Sequence, residues 1–451
     1  MPPTVLRRET VRPAVGLAVV GVAGVVLSAA VAGGAPVLAD RWTILARLAV
    51  WAATWGVAVA CALRLPRRAS VAAVFGLATA LRLAALAGPP TLSDDLYRYS
   101  WDGRVQAAGV NPYRHPPDSP VLARLREPWL WPDDAGCAAL DRPPGCTRIN
   151  RPSERTVYPP AAQAWFAAVY RLAGIDARHK AWQVAGLAVD LGLVALLPLV
   201  LRAWGRDERW TALYALSPFP VVEVVNNGHV DGLAALAVVG ALLLAARDRP
   251  GRAGALIGIA AMVKLYPAVV LPGLAARRRG WLVPAVAGAA AVVALGYLPH
   301  VADVGTRVLG YLPGYLREEK YGEGGRYLLA GLLGLPATAT AVVAGAGLAG
   351  VLGWVVLRGR DVPRAQAALL GALLLAATPV QPWYAVVLLT VATVAAAPVW
   401  AAVAAAGYPY FFAVILDHPH TVAIGRLSYG LALAAVAVAA WARRDGTVDP
   451  P

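Results

Sequence analysis

The chain has 451 residues, of which 59% are apolar and only 15% are charged, and its formal net charge is +15. About a quarter of the residues in soluble domains are charged, so this composition excludes an ordinary soluble globular protein. The arginines stand in pairs and triplets between long apolar runs, which is the pattern of a helical membrane protein and not of a nucleic-acid-binding protein.

The apolar runs predict twelve membrane-spanning helices. Lipid offers no hydrogen-bond partners, so each run must close its backbone hydrogen bonds within a helix. The first run is too long for the apolar region of a signal peptide, and we expect it to be a retained helix. The predicted spans cover residues 14–38, 43–63, 69–88, 181–201, 209–225, 230–246, 281–299, 336–357, 365–378, 383–397, 398–416 and 421–442.

Arginine clusters follow every second span, which places both chain ends, including a tail at 443–451, in the cytoplasm. The run from 253 to 276 has arginines at both ends and is interrupted at Lys264-Leu-Tyr266-Pro. If this run crossed the membrane once, the following arginine triplet would face outward. We therefore predict a re-entrant hairpin with Lys264 and Tyr266 at its apex.

Two large loops then lie on the outer side, at 89–160 and 300–326. The first is rich in tryptophan and proline, so we expect it to fold as a small cap at the membrane surface. It holds Cys137 and Cys146, which could form a disulfide or remain free thiols, and three cysteines in all exclude a Cys-rich metal site. The second loop could act as a lid or be a solvated connection.

The strongest candidate for chemistry is the acidic pair Asp94-Asp95, directly after the third span and ahead of Arg98, Tyr99 and Asp102. One carboxylate could serve as a general base, with its neighbour raising its pKa and Arg98 moderating it. The alternative is a solvated helix start whose acids cap the helix.

The second candidate is the polar corner Asn226-Asn227-Gly-His229-Val-Asp231 between two spans. Such groups hydrogen-bond sugars well, and Asp231 could hold the tautomer of His229. The same residues also form a good turn followed by an acidic first helical turn, so a purely structural role stays open.

The third candidate is Lys264, a lone lysine among apolar residues that needs an anion. A lipid phosphate could supply it, or the lysine could reach the interface or pair with a distant carboxylate. Weaker candidates could equally shape a kink or an interfacial belt. They are Tyr158 with Gln163, and the group Gln381, Trp383 and Tyr384. Arg326 belongs to the second outer loop, so its role depends on whether that loop is a lid or a solvated connection.

In order along residues 69–390, these motifs resemble the GT-C superfamily of membrane glycosyltransferases, and most closely bacterial polyprenol-phosphomannose-dependent mannosyltransferases. The resemblance rests on Asp95-Leu-Tyr-Arg98-Tyr99, Asn111-Pro-Tyr113, Val-Tyr158-Pro-Pro, Gly-His229-Val-Asp231-Gly and Lys264-Leu-Tyr266-Pro. It implies an all-α, GT-C-like transmembrane core at 69–442, to which residues 1–68 add two helices.

The resemblance also implies a function. A hexose, mannose in the named relatives, would pass with inversion from a polyprenyl-phosphate donor to a lipid or glycan acceptor. Asp95 would be the catalytic base with Asp94 beside it, and Lys264, with Arg326 or His300, would hold the phosphate. The site would face outward from a bacterial plasma membrane, with no nucleotide bound.

No cofactor is required by the sequence, and dependence on a divalent metal stays open. One alternative function is a lipid-linked glycan ligase or polymerase. The other is a secondary transporter, which would predict internal repeats and polar groups at mid-membrane, whereas the polar residues here collect at one face.

Overall fold

The computed structural model describes residues 3–34, 40–174, 178–319 and 326–444. The regular elements within these ranges are helices, joined by short 3-10 and π segments. The α-helices are α1 Pro3–Ala32, α2 Arg41–Arg64, α3 Arg67–Ala84, α4 Asp95–Ala107, α5 Asp134–Ala138, α6 Pro160–Ala173, α7 His179–Ala203, α8 Thr211–Ala215, α9 Pro218–Pro220, α10 Asp231–Ala246, α11 Pro250–Val263, α12 Leu282–Val304, α13 Leu312–Glu318, α14 Ala337–Arg358, α15 Val362–Ala376, α16 Ala385–Val394, α17 Trp400–Ile415 and α18 Thr421–Arg444.

Six of the described helices are long and apolar enough to cross a membrane, or seven with one bent pair counted as a span. They confirm a polytopic helical membrane protein. The long spans lie on α1, α2, α7, α12 with its continuation to Glu318, α14 and α18. Other predicted spans fall on shorter helices, and α15, with 15 residues, rises only about 22 Å against a hydrocarbon core of about 30 Å. The number twelve therefore stays a prediction, as does the tail beyond 444, which lies outside the described residues.

The prediction of one continuous helix over 209–225 is wrong. The chain there forms the short helices α8 and α9 and then a π-helix at Val221–Asn226. Pro218 and Pro220 interrupt the α-helical hydrogen bonding. The chain then turns by 118° into α10. Gly228 lies in this turn with a φ of +70°, a conformation that favours glycine.

The region predicted as a re-entrant hairpin doubles back on itself. It consists of α11, a break at Lys264 and a 3-10 helix over Tyr266–Ala276. An ion pair of 3.2 Å joins Asp248, just before α11, to Arg277, just after the 3-10 helix. The two ends of the region therefore lie at the same level of the molecule, with Lys264 at the far end. The depth of this apex in a membrane remains a prediction.

The first outer loop carries α4, α5 and a 3-10 helix over Pro120–Leu125. Cys137 and Cys146 form a disulfide, while Cys61 is free and buried. Apolar side chains from distant parts of the loop pack into a cluster separate from the main core. Its buried members are Trp101, Val105, Leu122, Leu130 and Ile149.

The arginine-rich connections meet at one end of the helix bundle. Glu208 pairs with Arg67 at 2.6 Å and with Arg202 at 2.7 Å, and Arg206 pairs with Asp361 at 2.6 Å. These residues belong to three different predicted cytoplasmic connections. Because α7 ends here, its first turns lie at the opposite end of the bundle.

A buried ion pair is an exception to the prediction that polar residues collect at one face. Arg82 of α3 and Asp190 of α7 are 2.6 Å apart, and both side chains are fully buried. Tyr214 and the carbonyl of Ala215 also contact the pair. Since each charge has a partner of opposite sign and further hydrogen bonds, the pair can persist inside the bundle.

Candidate active site

Asp95 begins α4 and lies at the centre of the polar site. Its Oδ1 accepts a hydrogen bond of 2.7 Å from Asn150, and its Oδ2 accepts one of 2.9 Å from the hydroxyl of Tyr158. The side chain is 15% exposed. Burial raises the pKa of Asp95, but His229, Lys264 and these two hydrogen bonds outweigh it and lower the pKa below its ordinary value. The carboxylate is therefore ionised near neutral pH and able to accept a proton.

Asp94 has a different environment from its neighbour. It shares the amide of Asn150 at 3.2 Å, and Arg142 lies 3.9 Å from its Oδ2. Burial and the charge of Asp95 raise the pKa of Asp94, although 43% of the side chain meets solvent and weakens both effects. Asp94 occupies the N-cap position of α4 without a side-chain capping hydrogen bond, so the capping alternative has no support from the geometry.

The polar corner between the π-helix and α10 lies directly against Asp95. The Nδ1 atom of His229 is 3.6 Å from Oδ2 of Asp95, and the imidazole stacks on Trp383 with 4.2 Å between ring centroids. The Oδ1 atom of Asn227 accepts hydrogen bonds from the backbone N–H groups of Thr91 and Leu92. Asn227 thus holds the chain that leads into α4.

Lys264 has a carboxylate partner that is distant in sequence. Its Nζ lies 3.0 Å from Oδ2 of Asp231, whose other oxygen accepts a 2.9 Å hydrogen bond from Tyr266. The expectation that Asp231 holds the tautomer of His229 is wrong, because its contacts go to the lysine and the tyrosine. Lys264 is 11% exposed and Asp231 is fully buried. The ammonium keeps one accessible side, which an anionic ligand could approach.

Aromatic rings surround the ammonium group of Lys264. It lies 4.9 Å from the ring centroid of Tyr384, 5.7 Å from that of Trp383 and 5.8 Å from that of Tyr158. These rings come from two separate parts of the chain, since Trp383 and Tyr384 are adjacent. Rings of this kind attract a cation and also present flat faces to a sugar.

The remaining candidates on α4 make contacts that hold this helix in place. Arg98 pairs with Asp102 at 3.0 Å, and both side chains are buried. Arg98 was expected to moderate the pKa of the acidic pair, but its ion pair is with Asp102 instead. Gln163 donates to Asp102 at 2.8 Å. The hydroxyl of Tyr99 lies 3.4 Å from that of Tyr158. These residues fix α4 against α6 and so fix the direction of Asp95.

The other predicted residues make contacts outside the cluster around Asp95. Arg326 pairs with Glu319 and donates to the carbonyl of Pro379. The carbonyl of Gln381 accepts from the N–H of Tyr384 at 3.1 Å, which shapes the turn that carries Trp383. His300 packs on the ring of Tyr113 instead of joining the cluster around Asp95. Residues 320–325 of the second outer loop lie outside the described residues.

Sequence reasoning missed Glu223, Asn150 and Tyr408. Glu223 is 1% exposed, 3.5 Å from Nε2 of His229, and accepts a 2.6 Å hydrogen bond from Tyr408. A lone glutamate inside the apolar run Val-Val-Glu-Val-Val was a usable signal, since ionisable groups within a predicted span are costly and are usually functional. Asn150, far along the loop from Asp95, carried no comparable signal.

Within the described ranges, no group of three or more His, Cys, Asp and Glu side chains has a metal-binding arrangement. The residues that converge are instead the carboxylates of Asp95, Glu223 and Asp231, one histidine, one largely buried lysine and a set of aromatic rings.

A family model, Glycosyltransferase family 87, matches residues 156–382, about half of the chain. The matched range includes Tyr158, His229 and Lys264, begins after Asp95 and ends one residue before Trp383. No curated protein and no solved structure matches the chain. The family match agrees with the helical membrane fold and with the GT-C resemblance. The chain belongs to glycosyltransferase family 87, and it is a membrane glycosyltransferase of the GT-C type.

Proposed function

We propose that this protein is an inverting hexosyltransferase that takes its sugar, mannose by resemblance, from a polyprenyl-phosphate donor. The observation that carries the proposal is the convergence of Asp95 and Lys264 through Tyr158. The hydroxyl of Tyr158 bonds to Asp95 at 2.9 Å, while its ring lies 5.8 Å from the ammonium of Lys264. A base and a cation that both contact Tyr158 suit a reaction that releases a proton and a phosphate.

In the proposed reaction, a hydroxyl oxygen of the acceptor attacks the anomeric carbon of the donor sugar. Asp95 removes the proton from that hydroxyl, and the bond from the anomeric carbon to the phosphate oxygen breaks. The departing phosphate is stabilised by the positive charge of Lys264, and Arg326 supplies a second positive charge. Attack opposite the leaving phosphate inverts the anomeric centre.

The aromatic and polar groups around these two residues suit a sugar. Trp383 and Tyr384 offer ring faces, while His229 and Asn227 offer polar atoms. Asp94, which is more exposed than Asp95, lies on the side from which an acceptor would approach. We assign it a supporting role.

A lipid chain would have an apolar path beside the site. A groove of about 530 Å³ runs between α6, α7, α10 and α11. Its lining includes Ala161, only three residues after Tyr158, and continues along the helices to Leu256. The polyprenyl chain of the donor would lie here, in contact with the lipid bilayer, while its phosphate reaches Lys264. The acceptor is a lipid or a glycan.

The arginine-rich end of the molecule would face the cytoplasm of a bacterial cell, and the site would face outward from the plasma membrane. The charge pattern supports this orientation, because basic connections stay on the cytoplasmic side.

The test is transfer by the purified protein in lipid nanodiscs from radiolabelled polyprenyl-phosphate mannose or glucose to extracted membrane lipids and glycans. We expect transfer by the wild type and a loss of about 100-fold or more in Asp95→Asn, which keeps the side-chain size but cannot accept the proton. Asp118→Asn, an exposed carboxylate in the same loop, is the matched control and should retain activity. The anomeric configuration of the product, read by NMR, tests inversion.

Two outcomes would change the assignment. Wild-type rates in Asp95→Asn would move the base elsewhere. Transfer only from a lipid-linked oligosaccharide would identify a glycan ligase or polymerase instead.

A further inference from the structure

Glu223 is a buried carboxylate that the proposed reaction does not yet use. Its Oε1 accepts a 2.6 Å hydrogen bond from Tyr408, and its Oε2 accepts one of 3.1 Å from Nδ2 of Asn227. The residue belongs to the π-helix Val221–Asn226, a type of distortion that often occurs at functional sites. A buried carboxylate is costly unless it is compensated, so its neighbours indicate its role.

His229 lies between Glu223 and Asp95. Its Nε2 is 3.5 Å from Oε2 of Glu223, and its Nδ1 is 3.6 Å from Oδ2 of Asp95. Neither ring nitrogen has a closer hydrogen-bond partner among the described residues. Both distances exceed a normal hydrogen bond, and catalytic hydrogen bonds commonly tighten only when substrate binds. The ring is fully buried, so water does not compete for these nitrogens.

We propose that Glu223 is a positioning residue that holds His229 with its hydrogen on Nε2, which leaves Nδ1 to take up the proton that Asp95 removes from the acceptor. The inference rests on the proposed function, in which Asp95 is the base. It assigns the buried glutamate to the proton path and not to the packing of the bundle.

The proton balance is simple. The O–H bond of the acceptor breaks as its oxygen bonds to the anomeric carbon, and the proton binds Oδ2 of Asp95. It then passes to Nδ1 of His229, so that Asp95 is ionised again. The resulting imidazolium has one N–H facing each carboxylate, and Glu223 stabilises its charge. After the product departs, the proton returns to Asp95, whose side chain is 15% exposed, and leaves from there to water.

Apart from Asp95 and Glu223, the charged groups around His229 are paired with each other. Lys264 and Asp231 form their ion pair at 3.0 Å, and Trp383 covers one face of the ring. Among the described residues, Glu223 is the carboxylate within ion-pair distance of Nε2. It is therefore the group that can hold the hydrogen on Nε2, in competition with Asp95, which faces Nδ1.

The experiment measures the pH dependence of transfer in Glu223→Gln. We expect kcat to fall by about 10- to 100-fold, with the KM for the donor unchanged, because the imidazolium loses the charge that stabilises it. The acid limb of the kcat/KM profile should move to lower pH, since a neighbouring negative charge favours protonation. A purely structural role would not move this limb. A folded Glu223→Gln protein with the wild-type profile overturns the proposal.

A milder pair of variants guards against misfolding. Tyr408→Phe removes one hydrogen bond from Glu223, and Tyr214→Phe removes a hydrogen bond from the buried Asp190, away from the site. We expect a several-fold fall in kcat for the first and wild-type kcat for the second. Equal rates in the two variants overturn the proposal.

A direct spectroscopic readout separates this inference from the proposed function. The ¹⁵N NMR signals of His229, assigned by their loss in His229→Ala, should report hydrogen on Nε2 in the wild type and a changed tautomer in Glu223→Gln. If the wild type shows no transfer from any polyprenyl-phosphate sugar, the proposed function fails, and this tautomer still tests the inference. An unchanged tautomer in Glu223→Gln overturns it.

Discussion

At the scale of single residues, the pair formed by Lys264 and Asp231 combines structure with function. Asp231 is fully buried, so Lys264→Ala would leave its carboxylate without a charged partner. Loss of one partner of a buried ion pair costs about 3–5 kcal/mol, and we expect a clear fall in the melting temperature as well as weaker donor binding. Lys264→Arg keeps the charge and should retain part of both properties.

A double variant separates the two roles. Lys264→Ala combined with Asp231→Asn removes both charges, so stability should recover substantially while donor affinity stays low. Melting temperature and donor binding are measured on the same preparations. If donor affinity returns together with stability, Lys264 is a structural residue only.

Predictability at this scale depended on whether a residue stood out from its neighbours in the chain. Four residues stood out in the sequence, and the structure brings all four together. Three of them, Asp95, His229 and Trp383, lie beside other polar or aromatic residues at predicted helix ends. The fourth, Lys264, is a lone lysine in an apolar run. The partner of Lys264 could not be identified, because ion pairing across the bundle depends on how helices pack. The spacing of polar and apolar residues within one segment does not show which residue of another helix will contact it.

At the scale of elements, α13 and the 3-10 helix before it pack over the first outer loop. Gly310 connects them with a φ of +54°, and a Cβ atom placed there would lie 1.7 Å from the carbonyl oxygen of Thr156. Thr156 leads into Tyr158 at the site. We expect Gly310→Ala to push α13 away from the site and to lower transfer at least several-fold.

Gly305 provides a matched control in the same segment. Its φ is +58°, but a Cβ atom there would have nothing within 4 Å. Gly305→Ala should therefore add only the backbone strain that both alanines share, about 1–3 kcal/mol, with transfer nearly unchanged. Equal effects of the two alanines on transfer would show that the contact with Thr156 does not position the site.

The apolar groove gives a second prediction at this scale. Ala164 on α6 lines the groove, and its side chain is exposed, so Ala164→Trp can fill the groove without disturbing the core. Displacing only two CH₂ groups of a lipid chain would cost about 1.6 kcal/mol, so affinity for long-chain donors should fall by about tenfold or more. A short-chain donor analogue should bind as before.

The control for that variant is Val342→Trp on α14, which adds a tryptophan at a position that is 65% exposed and outside the groove. Binding of long and short donors is compared by competition in nanodiscs. A loss of affinity that is the same for both chain lengths would argue against a polyprenyl chain in the groove.

The elements were predictable where an apolar run was long and uninterrupted, as for α2, α7 and α14. The prediction for 209–225 failed because the run is mainly apolar, while Pro218 and Pro220 prevent a continuous helix. The π-helix that follows could not be predicted, since its extra residue per turn depends on tertiary contacts such as that of Glu223 with Tyr408.

At the scale of the whole molecule, the arginine-rich connections and the candidate active site lie at opposite ends of the helix bundle. Gln183 in the first turns of α7 donates to the carbonyl of Asn226 beside the site, at 2.7 Å, and α7 ends near the arginine-rich connections. A helix of 25 residues spans about 37 Å, more than the hydrocarbon core of a bilayer. The two ends can therefore lie on opposite sides of a membrane, which makes the orientation testable.

Single cysteines test that orientation in whole cells. The background is low, because Cys61 is buried and the other two cysteines are bonded to each other. Ala123→Cys, exposed in the first outer loop, should react with a membrane-impermeant maleimide from outside, whereas Arg360→Cys should react only after the cells are opened. Arg278→Cys, after the hairpin, should behave like Arg360→Cys, because the neighbouring Arg277 pairs with Asp248 at the arginine-rich end. Outside labelling at 278 with protection at 360 would show that residues 253–276 cross the membrane, and labelling of 360 but not 123 would invert the whole molecule.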